Sequence, residues 1–244
     1  MMSAEPVLLA ASVFAVALLY SSVGHAGASG YIAVMTLFGL GVEVVRPTAL
    51  VLNILVAAIG AVQWWRSGHF SWSFFWPFAV LSMPAAFAGG WLQVPAHYLK
   101  AAIGLVLWFS AWRLLARRED PAEICRPCRS AAVASGAGIG FLAGLTGTGG
   151  GIFLTPLILF CRWAHVREAA SVSALFILVN SLSGLAGYAR SGRGLPDVAW
   201  PLAAAVAAGG FIGARLGSRH LPVRGITTLL AAVLVIAGAK LVFG

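Results

Sequence analysis

Two glycine clusters stand out in an otherwise apolar chain: GHAGASG, from Gly24 to Gly30, and GTGGG, from Gly147 to Gly151. Glycine costs about 1 kcal/mol against alanine inside a helix, so clusters of this kind interrupt one. An interruption leaves up to four N–H groups unpaired at the start of the next helical piece. Those groups together carry about half a positive charge. With no side chain on the glycines, a ligand can approach the amides closely. Such an arrangement binds anions. Hydroxyls flank both clusters, with Ser21, Ser22 and Ser29 at the first and Thr146, Thr148 and Thr155 at the second. His25 lies inside the first, and Asn53 and Asn180 lie in later apolar runs, at positions that do not align with each other.

The candidate substrate-binding residues are therefore Ser22, Gly24, His25, Gly27, Ser29 and Asn53, with Thr146, Gly147, Thr148, Gly149, Gly150, Gly151 and Asn180. Each has a structural alternative. Serine and threonine in membrane helices bond back to their own helix, and a buried asparagine is commonly satisfied by a neighbouring helix. His25 is either a neutral ring hydrogen-bonded across the hairpin or a group that pairs with an anion or carries a proton. Its reference pKa of about 6.5 permits the second role. Gly209, Gly213 and Gly217 recur every fourth residue, and Ala85 and Gly89 repeat that spacing; these read as helix-packing positions. Charged residues gather at the ends of apolar runs and in loops, so a relay of buried carboxylates is not expected.

The elements that hold these residues must be membrane helices. Of 244 residues, 60% are hydrophobic and 9% charged, against about 25% charged in soluble domains. The first residues, MMSAEP, have no basic stretch and no small-residue cleavage site follows, so no cleavable signal is expected. The formal charge of +9 points to basic cytoplasmic loops rather than to nucleic acid. Most tryptophans, namely Trp64, Trp65, Trp72, Trp76, Trp91, Trp112, Trp163 and Trp200, lie near segment ends and read as interfacial anchors. Three cysteines make no disulfide framework, and Cys125 and Cys128 of CRPC read as a solvated pair of reduced thiols rather than a zinc site.

The chain is an internal duplication. Gly24 matches Gly147 and Gly27 matches Gly150. Val45-Arg46 matches Val166-Arg167, and Arg66-Ser67-Gly68 matches Arg190-Ser191-Gly192. Trp76-Pro77 matches Trp200-Pro201, and Val94-Pro95 matches Leu221-Pro222. Repeat 1 covers 1–118, with a hairpin at 7–40 (pieces 7–22 and 31–40) and spans at 47–65, 71–93 and 97–112. A cytoplasmic linker, 119–130, leads to repeat 2 at 131–244, with a hairpin at 131–160 (pieces 131–145 and 152–160) and spans at 168–189, 196–214 and 223–243. The second piece of each hairpin is too short to cross roughly 30 Å of hydrocarbon. The hairpin could be re-entrant, two tilted short spans or one interrupted span.

Basic residues favour the re-entrant form. It puts Arg66, Arg113, Arg117, Arg118, Arg126, Arg129, Arg162, Arg167, Arg215, Arg219 and Arg224 inside, and leaves Arg46, Lys100, Arg190, Arg193 and Lys240 outside. The expected fold is all-α integral membrane, with two inverted repeats, each a broken helical hairpin plus three transmembrane helices, and both termini outside. Broken helices in inverted repeats mark secondary transporters with a midplane site.

The stretches GAGIGFLAGLTGTGGGIFLTPLILF, Gly136 to Phe160, and GGFIGARLG, Gly209 to Gly217, resemble the sulfite exporter TauE/SafE family of bacterial membrane permeases. The likeness covers essentially the whole chain, and the family's glycine motif falls on Gly147, Gly149, Gly150 and Gly151. His25, Ala26, Ala28 and Ser29 depart from it in the first repeat. The resemblance implies transport of a small sulfur-containing anion such as sulfite, thiosulfate or a sulfonate across the bacterial inner membrane. No cofactor is expected; coupling to H+ or Na+ stays open, as does the oligomeric state, a homodimer included. Two rival readings are a passive anion channel and, from Ser29 in GASG with His97 as base, a rhomboid-like intramembrane protease.

Overall fold

A computed structural model describes residues 4–92, 104, 107–112, 115, 123–191 and 199–243. Nine helices are delimited among them: α1 (Ala4–Ser21), α2 (Ala28–Leu37), α3 (Val42–Arg66), α4 (Trp72–Trp91), α5 (Arg129–Thr146), α6 (Gly151–Phe160), α7 (Val166–Arg190), α8 (Ala199–Arg219) and α9 (Val223–Phe243). No strand occurs among the described residues. Helices suit this composition because each satisfies its own backbone within hydrocarbon. Val44–Arg66, Trp72–Trp91 and Val166–Arg190 are each long and apolar enough to cross a membrane. The expected span 97–112 falls mostly outside the described residues; 107–112 are helical.

Both short pieces are real half-helices. α2 and α6 have 10 residues each, about 15 Å at the rise of an α-helix. α2 stops where the chain can turn. Leu40 N–H bonds to Met35 O and Gly39 N–H to Thr36 O, with Gly39 at φ 78°, the paired bonds of a Schellman ending. α2 also folds back along α1, with Gly30 against Val16 and Tyr20.

The two halves of the chain interlock. α4 of the first packs on α5 of the second, and α8 of the second packs on α1 of the first. α4 also meets α7, α8 meets α3, and α3 and α7 pack against each other. Exchanging α1 with α5, α3 with α7 and α4 with α8 maps this set of pairings onto itself. Gly136 rests on the Phe78 backbone, Gly140 on Ser82 and Gly144 on Ala86, so α4 and α5 run parallel at a spacing that only glycine permits. The expected packing set forms the matching seam, with Gly209, Gly213 and Gly217 on the backbone of Phe14, Leu18 and Ser22. Hydrophobicity does not drive helices together in lipid, so close backbone contact carries the association.

One anchoring expectation is corrected. Trp65, Trp72, Trp76, Trp91 and Trp112 are exposed, but Trp64 is fully buried. Its indole N–H donates to Ser21 O at 3.3 Å, near the C-terminus of α1. Helix periodicity turns adjacent tryptophans to different faces, and the two-tryptophan run by itself did not say which face met protein.

Candidate functional site

The first break is built by the end of α1. Gly24 N–H bonds to Ser21 O and His25 N–H to Tyr20 O. Gly24 takes φ 80°, and a Cβ there would strike the Ala170 backbone of α7, so the turn and the helix crossing both require glycine. Gly27, at φ 101°, stands at the N-cap of α2. The Tyr31 hydroxyl ties the loop by donating to Ala26 O at 2.5 Å. In the second break Gly147 N–H bonds to Ala143 O, which closes α5. Gly149 and Gly150 follow at φ 74° and 84°, and α6 begins at Gly151. Neither N-cap, Gly27 nor Gly150, has a side chain with which to cap its helix. Residues 21–31 and 147–152 are all buried.

Asn53, in the middle of α3, joins the two breaks. Its Oδ1 accepts the Ala28 N–H at the start of α2, 3.1 Å away. Its Nδ2 donates to Ser181 Oγ of α7 at 2.8 Å. Gly149 faces this pair, and a Cβ on it would come within 2.5 Å of Asn53 Nδ2 and 2.7 Å of Ser181 Oγ. His25 makes a second bridge. Its Nε2 lies 2.9 Å from Thr155 Oγ1 of α6, and Thr155 donates to Ser173 Oγ of α7 at 2.7 Å. The ring also lies beside Gly151. One polar centre thus draws on both breaks.

Other candidates stand apart from that centre. Ser22 Oγ donates to Leu19 O at 2.6 Å, Thr146 Oγ1 to Leu142 O at 2.7 Å, and Asn180 Nδ2 to Phe176 O at 2.8 Å. All three bond back to their own helix. Thr148 Oγ1 pairs with Thr146 Oγ1 at 2.9 Å. Ser29 Oγ donates to Tyr20 Oη at 3.0 Å.

Two sequence expectations need correction. The first break is shorter than Gly24–Gly30, because Asn53 receives the Ala28 N–H and α2 starts there. Ala28, Ser29 and Gly30 form its first turn. Charge also comes closer to a break than expected. α3 begins at Val42 rather than 47, so Arg46 lies within it, and its Nη2 donates to Gly144 O at 2.7 Å. A cation suits the carbonyl end of α5. Arg167 of α7 does the same for α8, with 2.8 Å bonds to Ser218 O and Leu221 O.

Sequence reading passed over Ser173 and Ser181. They flank Ile177 at spacings of four, which puts all three on one stripe of α7. That stripe meets Thr155, Gly149 with Gly151, and Asn53. The spacing was visible, but serines so placed are as readily bonded to their own helix.

A family model described as Sulfite exporter TauE/SafE matches residues 9–241. The chain is also similar to a "Probable membrane transporter protein y4hK" of Sinorhizobium fredii (strain NBRC 101917 / NGR234), at 42% identity over 248 aligned residues, covering 99% of this chain and 100% of that protein. No solved structure matches.

Proposed function

Because the chain belongs to the sulfite exporter TauE/SafE family, whose members are membrane transporters and not enzymes, we propose that it carries a small sulfur-containing oxyanion, such as sulfite, thiosulfate or a sulfonate, by alternating access. The observation that carries this reading is Asn53, which links the amide end of α2 to the glycines of the second break. The cargo binds where the two half-helices begin, held by backbone N–H groups and the Asn53 amide. The helix dipoles favour negative charge there, and glycine keeps the approach open. Ser29 is then a structural hydroxyl rather than a nucleophile. Burial of both breaks favours a carrier over a channel, since a carrier must pass through a state closed to both sides whereas a conducting pore keeps its path open. The bodies that rock are the two seam-bound groups, α4 with α5 and α1 with α8, each of which joins helices from both halves of the chain.

Proteoliposomes test this directly. Uptake of labelled thiosulfate or sulfite should saturate, and preloading with unlabelled anion should drive counterflow. Flux that never saturates and shows no counterflow would mean a channel. No flux of any sulfur anion would end the proposal.

The inverted arrangement, with both termini outside the inner membrane, draws on two supports: the return of α2 along α1 and the bias of arginines. It places Cys125 and Cys128, both exposed, on the cytoplasmic face. A membrane-impermeant maleimide is expected to label them in inside-out vesicles and to spare them in intact spheroplasts; the reverse pattern would invert the topology. The Cys128 thiol is held below its usual range, chiefly by its hydrogen bond with Ser130 and then by the Ala131 backbone. In a Cys125→Ser, Cys161→Ser background its labelling should therefore persist to lower pH than that of free cysteine, since the thiolate is the reacting form.

A further inference from the structure

Among the buried groups where the breaks meet, the imidazole of His25 has a nitrogen with nothing to do. The residue is 4% exposed. Thr155 uses its one hydrogen on Ser173 Oγ, so toward His25 Nε2 its oxygen can only accept. Nε2 therefore carries the ring hydrogen, and Nδ1 of a neutral ring is left with a lone pair. Nδ1 is buried and has no hydrogen-bond partner among the described residues. The ring stands at the first residue of α6, where a Cβ on Gly151 would lie 3.3 Å from His25 Cδ2. A base with an unused lone pair thus sits beside the helix start at which an anion would bind.

We propose that His25 Nδ1 takes up a proton together with the cargo anion, so that a monovalent sulfonate crosses the membrane as a neutral pair and a dianion such as thiosulfate crosses with one negative charge fewer. The inference rests on the anion reading above and names the coupled ion. An unpaired charge in a buried site costs several kcal/mol, so imidazolium without anion and anion without imidazolium are each disfavoured. Side by side each offsets charge on the other. Each ligand then raises the affinity for the other by the same factor.

Other titratable or charged groups around the centre are engaged elsewhere. On α1 Tyr20 receives the Ser29 hydroxyl, and on α2 Tyr31 donates to Ala26 O. On α3 Arg46 holds Gly144 O. On α7 Arg167 holds Ser218 O and Leu221 O, and Glu168 pairs with Arg126 at 2.9 Å. Arg129 of α5, Arg215 and Arg219 of α8 and Arg224 of α9 are exposed. α6 contains no ionisable side chain.

Calorimetry decides the matter. The purified protein is titrated with thiosulfate or methanesulfonate in two buffers of equal pH and different ionisation enthalpy. Both probes stay fully ionised near neutral pH and take up no proton themselves. Proton uptake matching the bound anion mole for mole is expected, and it should vanish in His25→Gln. Binding with equal heat in both buffers overturns the proposal while leaving anion transport standing, and so does proton uptake that persists in His25→Gln. If His25→Gln neither folds nor binds, Ser173→Ala decides. With its acceptor gone, the Thr155 hydroxyl turns to Nε2, and the pH midpoint of anion binding should shift by about one unit, the worth of one net hydrogen bond; an unmoved midpoint overturns the proposal. If neither probe nor sulfite binds, the anion reading itself fails and this one falls with it.

Discussion

Asn53→Asp is expected to lower anion uptake roughly a thousandfold while the protein still folds. Aspartate has nearly the shape of asparagine and keeps an oxygen for the Ala28 N–H, so the start of α2 retains its acceptor. The N-terminal end of that helix favours the ionised carboxylate. What changes is charge at the proposed cargo site, together with loss of the donor to Ser181 Oγ. Two like charges about 4 Å apart repel by about 4 kcal/mol at an effective dielectric of about 20. Each 1.4 kcal/mol is worth about tenfold, which gives the thousandfold figure. Initial uptake rates in proteoliposomes, normalised to reconstituted protein, measure it. Rates within a few-fold of the unaltered protein would mean that the cargo does not pass Asn53.

Gly140→Val should strongly destabilise the protein, whereas Gly138→Ala should leave it as stable or slightly more so. The two glycines are two residues apart on α5 and face different surroundings. A Cβ on Gly140 would strike the Ser82 backbone of α4, while a Cβ on Gly138 meets nothing within 4 Å. A flexible neighbour could move aside, but the backbone of a packed helix moves only if the whole seam opens. Overpacking typically costs 1–3 kcal/mol, about the worst of which is expected here. At Gly138 only intrinsic propensity acts, and alanine gains about 1 kcal/mol over glycine in a helix. Gly213→Val, against the Leu18 backbone of α1, should behave as Gly140→Val does, since both seams set a glycine directly on the backbone of the neighbouring helix. Thermal unfolding in detergent reads all three. Equal melting of the Gly140 and Gly138 variants would mean that α4 and α5 do not hold the fold together.

Much of the scaffold was legible because hydrophobic length and glycine placement act locally. Ten apolar residues make a half-helix wherever they stand, and a left-handed turn at Gly24 or Gly147 needs only the missing Cβ. Packing glycines at intervals of four could likewise be read at Gly209, Gly213 and Gly217. The matching seam at Gly136, Gly140 and Gly144 was masked because it runs straight into the GTGGG cluster and looks like part of it.

The polar centre was only half legible. Asn53 and Asn180 look alike along the chain, yet one bridges the two breaks and the other bonds to Phe176 O of its own helix. Whether a side chain faces the centre or its own backbone depends on the rotation of its helix, and that is set by neighbours distant in sequence.

The amino-acid sequence alone therefore determined a membrane-embedded bundle of helices with two glycine interruptions, because burial in lipid and backbone conformation are properties of short stretches. Only the tertiary structure decided that the interruptions share one centre, that Asn53, Ser181, His25, Thr155 and Ser173 meet there, and that each half of the chain leans on the other. Those outcomes depend on which helix surfaces come into contact, and a contact joins residues more than a hundred positions apart, such as His25 with Thr155 or Asn53 with Ser181.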